Sequence, residues 1–124
     1  VPQAVLAAQI LETEGISAEI IDPRTLVPLD SLAILNSVAR TGRLVIADPA
    51  NRTCGAAAEI SAIVSELAFD CLRAPIIRVT TPDTHIPFSP AIEKQLYPDS
   101  IKIAEAVRKV TSARIGAGAP ARMN

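Results

Sequence analysis

Two short stretches carry residues whose types could do chemistry. In Arg52-Thr53-Cys54-Gly55 a cysteine sits between a cation and a glycine, just before a run of alanines that starts a helix. A thiol at a helix start can have a lowered pKa, and free N–H groups with Arg52 and Thr53 can hold an anion there. In Asp83-Thr84-His85 a carboxylate lies two residues from the only histidine, an arrangement that could orient a general base. Each has a plainer counterpart. No base lies near Cys54 in sequence, Gly55 suits simple helix capping, and His85 is followed by Ile86-Pro87-Phe88, the composition of an interface loop.

Larger constellations do not assemble. Cys54 and Cys71 form no CxxC, so with one histidine a zinc site would need unusual ligands, and Cys71 reads as core. Neither GxxxxGK[ST] nor GxGxxG occurs, so no phosphate-cradling loop is expected. Asp22, Asp30 and Asp48 fall at ends of apolar runs, where open α/β sheets bind ligands, but Asp30 is placed as a helix cap and the others abut prolines that mark turns. No nucleophile, base and oxyanion donor can be grouped. The chain alone is not expected to be catalytic.

The elements that must position these residues follow from periodicity. Gln3 to Glu14 reads as a helix stopped by Gly15, and Ser17 to Asp22 as a strand ended by Pro23. Asp30 caps a helix from about Ser31 to Arg40, and Arg43 to Asp48 is an apolar strand closed by Pro49. Ile60, Ile63, Val64, Leu67 and Cys71 recur at helical spacing, and Ile76 to Thr80 makes a third strand. Four prolines from Thr81 to Pro98 exclude a long helix or central strand there, so an ordered, partly extended loop is expected. Ser100 is expected to cap a last helix through Val110, with Glu105 pairing Lys109 outside, and the Gly- and Ala-rich end from Gly116 is expected to be mobile. Helices alternating with strands make an α/β domain of residues 1–112, with 113–124 a flexible tail.

Composition agrees. The 124 residues suit one core, and three aromatics leave Val, Ile, Leu and Ala to build it, as suits helices packed on a buried sheet. A formal charge of −1 argues against nucleic acid, and no apolar run spans a bilayer, so the expected setting is soluble and intracellular.

Together, the motifs Glu14-Gly15-Ile16, Ile21-Asp22-Pro23-Arg24-Thr25-Leu26, Pro28-Leu29-Asp30, Thr41-Gly42-Arg43-Leu44-Val45 and Arg52-Thr53-Cys54-Gly55 resemble the C-terminal domain of the β subunit of thiamine-diphosphate-dependent 2-oxo acid dehydrogenases, those for pyruvate, branched-chain 2-oxo acids or acetoin. Ala74-Pro75, Arg78-Val79-Thr80, Pro82-Asp83-Thr84 and Ile86-Pro87-Phe88-Ser89-Pro90 continue it, and it covers about Ala4 to Val110. The resemblance implies a three-layer α/β/α sandwich with a mostly parallel sheet, from which the chain is expected to lack the first two strands, one of them central. It implies no cofactor in this chain, with thiamine diphosphate and magnesium in the whole enzyme. It implies contacts with an α subunit and a second β subunit, for which Arg24, Leu26, Pro28, His85, Ile86, Pro87 and Phe88 are the candidates. It also implies docking of an acyltransferase component near Asp70, where Arg73 departs from an often acidic position, with Asp83 and Glu93 as further candidates. The compartment would be the cytoplasm in a bacterium or the mitochondrial matrix in a eukaryote. The alternatives are an anion- or nucleotide-binding regulatory domain using Arg52, Thr53 and Gly55, or the equivalent domain of a transketolase or deoxyxylulose-phosphate synthase relative.

Overall fold

A computed structural model describes residues 1–113, so the expected flexible tail lies outside the described residues from 114 onward. Helix α1 spans Pro2–Glu12, with proline at its start, where a missing N–H costs nothing. Helix α2, Ser31–Thr41, is capped as expected: Asp30 accepts from the Ala33 N–H at 3.0 Å, and Gly42 closes it in the left-handed region at φ 71°. Strand β1, Val45–Asn51, leads to helix α3, Ala56–Leu67. A 3-10 turn, Phe69–Cys71, replaces the last turn expected of that helix. Strand β2, Ile77–Thr81, helix α4, Pro90–Leu96, and helix α5, Ser100–Ser112, complete the order.

Strands β1 and β2 pair in parallel, Val45 opposite Ile77 and Asp48 opposite Thr80. The connection through α3 supplies the crossover that parallel strands require. On one face, Ile34 and Val38 of α2 and Ala57, Ile60 and Val64 of α3 pack with Ile46 of β1. On the other, Ala7 and Leu11 of α1 pack with Ile103 and Ala104 of α5 against Val79 of β2. The layers are helix, sheet, helix, which is the expected α/β sandwich.

Several local expectations are corrected. Ser17–Asp22 forms no strand, because none of its backbone groups finds a backbone partner among the described residues. The segment is instead tied to α2 through Glu19, which accepts from the Ser37 hydroxyl and the Arg40 guanidinium. Pro49 does not end β1. The strand runs on to Asn51 with an irregular register after Asp48, and the Pro49 carbonyl accepts from the buried Thr81 hydroxyl at 2.6 Å. Within the proline-rich stretch α4 forms after all, its first residue being Pro90, which suits a helix start. The cap of α5 is the Asp99 carboxylate, accepting from Lys102 N–H at 2.8 Å, and Ser100 is the first residue inside. On the same helix Arg108, not Lys109, makes the ion pair, with Glu14 across from α1.

Candidate functional site

The end of β1 and the start of α3 meet around two carboxylates. Asp48 reaches forward, one oxygen accepting from Ala50 N–H at 2.9 Å and the other from Ala57 N–H at 3.2 Å, so it caps α3 from nine residues upstream. Asp83, from the loop after β2, accepts from the Thr53 N–H at 2.9 Å and from the Thr53 hydroxyl. The Thr53 hydroxyl above all, then its N–H, hold the Asp83 carboxyl below its ordinary range. Arg52 N–H bonds the Thr81 carbonyl at 3.0 Å, and Arg78 Nη1 donates to the Arg52 carbonyl at 3.2 Å. Gly55 is needed for closeness: a Cβ there would stand 2.5 Å from the Asn51 carbonyl oxygen. Cys54 is exposed at φ 58°, a backbone conformation that side chains other than glycine rarely take.

This packing bears directly on the chemistry expected of Arg52, Thr53 and Gly55. Of the donors expected there, the Thr53 N–H serves the Asp83 carboxylate, and the Ala57 N–H one turn on serves that of Asp48. Asp83 faces Thr53, and no hydrogen bond joins it to His85 among the described residues, so the oriented-base arrangement is not formed.

The interface candidates fall on two exposed loops. Arg24 lies at φ 60° beside Asp22, its N–H 3.4 Å from that carboxylate, and the Thr25 hydroxyl holds the Pro28 carbonyl at 2.8 Å. Between them Leu26 is 56% and Val27 93% exposed. In the second loop His85 is exposed, Pro87 is half-buried, Ile86 is 47% exposed and Phe88 is fully open to solvent. Val27 was missing from the sequence-based set although its apolar type and its place between Leu26 and Pro28 were visible.

Asp70 and Arg73, both exposed, alternate with residues that line an open, largely apolar cleft of about 520 Å³: Phe69, Leu72 and Ala74, facing Ser61 and Ser65 of α3. The Arg73 N–H bonds the Gly42 carbonyl at 2.8 Å, and its aliphatic stem lies where a Gly42 Cβ would be. Glu93 lies on α4, where the Tyr97 hydroxyl donates to it at 3.1 Å. The charges were visible in the sequence but the cleft was not, because its walls bring Ser61 and Ser65 against Phe69, Leu72, Ala74 and Ile76 through the tertiary fold.

Among the described residues no three His, Cys, Asp or Glu side chains form a group that could hold a metal ion. No described helix is long and apolar enough to cross a membrane.

Comparison with known proteins places these features. The family described as transketolase, C-terminal domain, matches residues 1–103. The β subunit of acetoin:2,6-dichlorophenolindophenol oxidoreductase from Bacillus subtilis is 49% identical over 100 residues, 81% of this chain and 29% of that protein. The pyruvate dehydrogenase E1 component β subunit from Leifsonia xyli is 45% identical over 108 residues, 86% of this chain and 32% of that protein. A mitochondrial pyruvate dehydrogenase E1 β subunit from Dictyostelium discoideum is 41% identical over 105 residues. Among solved structures, a split-gene transketolase described as an inactive β4 tetramer superposes with a TM-score of 0.77 at 26% identity, over 91% of this chain and 35% of that one. The chain thus spans about a third of the length of the relatives it matches.

Proposed function

Because the chain belongs to the transketolase C-terminal domain family, we propose that it is the assembly and docking domain of the β subunit of a 2-oxo acid dehydrogenase. In this reading the reaction, oxidative decarboxylation of a 2-oxo acid with thiamine diphosphate and magnesium, takes place outside these residues. The domain holds an α subunit and a second β subunit through the loops at Arg24–Pro28 and His85–Phe88. An acyltransferase component docks at the cleft beside Asp70 and Arg73. Identities of 41 to 49% to dehydrogenase and acetoin oxidoreductase β subunits, against 26% to the transketolase chain, favour this branch over the transketolase alternative. The compartment follows the source, cytoplasm or mitochondrial matrix.

The observation that carries the reading is the exposure of large apolar side chains on two ordered loops, Leu26 and Val27 in one and Ile86 and Phe88 in the other. A lone domain gains nothing from such side chains, whereas an interface buries them. The test is to place Leu26→Asp and Phe88→Asp together in the β subunit and co-express it with its α subunit. Both positions are at least half exposed, so the domain should fold with unchanged circular dichroism. Sedimentation should show the assembly reduced at least tenfold. Full assembly at the wild-type concentration would overturn the proposal.

A further inference from the structure

From residue 82 to residue 102 no side chain is buried, whereas Thr81 just before and Ile103 just after both are. This stretch carries the second exposed loop, with Ile86 and Phe88, and then α4, on which Ile92 is 52% exposed. A segment that gives no apolar side chain to the core is placed by its polar contacts. Among the described residues those contacts lie at its two ends. At the far end Lys102 Nζ, on α5, donates to the Gln95 carbonyl and to the Tyr97 carbonyl at 2.9 Å. At the near end Thr53 holds Asp83, its N–H donating to one carboxylate oxygen at 2.9 Å and its hydroxyl to the other.

Thr53 is itself anchored. The neighbouring Arg52 donates its N–H to the Thr81 carbonyl at 3.0 Å, and its carbonyl accepts from Arg78 Nη1 at 3.2 Å, which ties this corner to the β1–β2 ladder. Asp83 was expected as a docking charge, but both of its oxygens are engaged within the chain. Its two hydrogen bonds are charge-assisted, the stronger kind, and they fix the loop at the point where it leaves β2.

We infer that the Thr53–Asp83 pair presets residues 84–96 as an arm for the partner subunit, whose apolar surface Ile86, Phe88 and Ile92 grip, so that Asp83 is a positioning residue for assembly. The inference rests on the assembly reading above and adds Ile92 to the contact. Ordering a loop on association costs affinity, and a loop held in advance avoids that cost. The arm leaves its apolar side chains for the partner, where burial rewards them, and is held to its own domain by groups that need no burial.

The test uses the whole β subunit and its α subunit, with the Kd of assembly measured by sedimentation. Asp83→Ala should raise that Kd about tenfold, because the arm must then be ordered during binding. The thermal midpoint of the free β subunit should move by no more than about 2 °C, since the arm buries nothing in its own domain. Asp83→Asn, which keeps an acceptor for the Thr53 N–H, should restore assembly to within about threefold of wild type, and Thr53→Val, which loses the hydroxyl and keeps the N–H, should fall between wild type and Asp83→Ala. With Phe88→Ala and Ile92→Ala in place, adding Asp83→Ala should cost less than about twofold, because the arm then has little to present. A wild-type Kd in Asp83→Ala, with the Leu26→Asp, Phe88→Asp pair still failing to assemble, would overturn the positioning role and leave the assembly reading standing. An undiminished cost of Asp83→Ala without Phe88 and Ile92 would overturn it too, since Asp83 would then act by another route. Should Asp83→Ala unfold the subunit, Thr53→Val decides, and a wild-type Kd there counts against the inference. Full assembly of the Leu26→Asp, Phe88→Asp pair would remove the assembly reading and this inference with it.

Discussion

The Gly55 backbone lies so close to the Asn51 carbonyl that no side chain fits, although its φ of −76° would suit any residue. Gly55→Ala should push the β1–α3 loop off Asp48 and destabilise the domain by about 1–3 kcal/mol in urea unfolding. Gly42→Ala differs in kind, since there the backbone itself is left-handed and the nearest obstacle is the flexible Arg73 stem. Charged side chains make a second set of linked effects. Glu14 is held below its ordinary range chiefly by the Arg108 hydrogen bond, Glu19 by the Ser37 hydroxyl and then Arg40, and Asp99 by the Lys102 N–H. A folded-state pKa below the unfolded one means that the folded chain binds fewer protons, so these contributions are complete above the unfolded values of 4.5 for Glu and 3.8 for Asp. They are lost as pH falls through the lower folded values. Unfolding midpoints should therefore be flat from pH 7 to about 5 and fall below that, and Glu14→Gln should flatten part of the fall.

Among the elements, α2 has its ends written most fully in sequence. Asp30 and Gly42 cap it, and Asp30→Ala should cost about 1 kcal/mol, read from the urea midpoint at pH 7. By contrast α3 lacks a side-chain cap on its own first residues and borrows Asp48 from the preceding strand. Local pattern located α2, α3 and α5 well because each carries an amphipathic stripe. It misplaced the cap of α5 by one residue, since Asp99 and Ser100 are both good cap types and only geometry chooses between them. It overran α3 because Cys71 continues the helical spacing while the chain turns into a 3-10 turn at Phe69.

At the scale of the whole molecule, two apolar clusters sandwich a sheet of two strands, and large apolar side chains remain exposed at its margins. The docking reading makes its own demand at this scale. If a basic binding module meets the cleft beside Asp70, then Arg73 opposes it, and Arg73→Glu should tighten binding by a few-fold, measured with the acyltransferase's binding domain on an immobilised β subunit. Weaker or unchanged binding would place docking elsewhere. Periodicity, caps and the order of motifs were enough, from the sequence by itself, to set the α/β class, α1, α2, α3 and α5, β1 and β2, and the family, because those depend on residues near one another in the chain. Tertiary structure alone decided the fate of Ser17–Asp22, whose composition is that of a strand but whose backbone finds no neighbour to pair with. It also decided that the Thr53 and Ala57 N–H groups serve Asp83 and Asp48. A strand and a binding site both depend on partners distant in sequence, and no local pattern says whether those partners are present or already engaged.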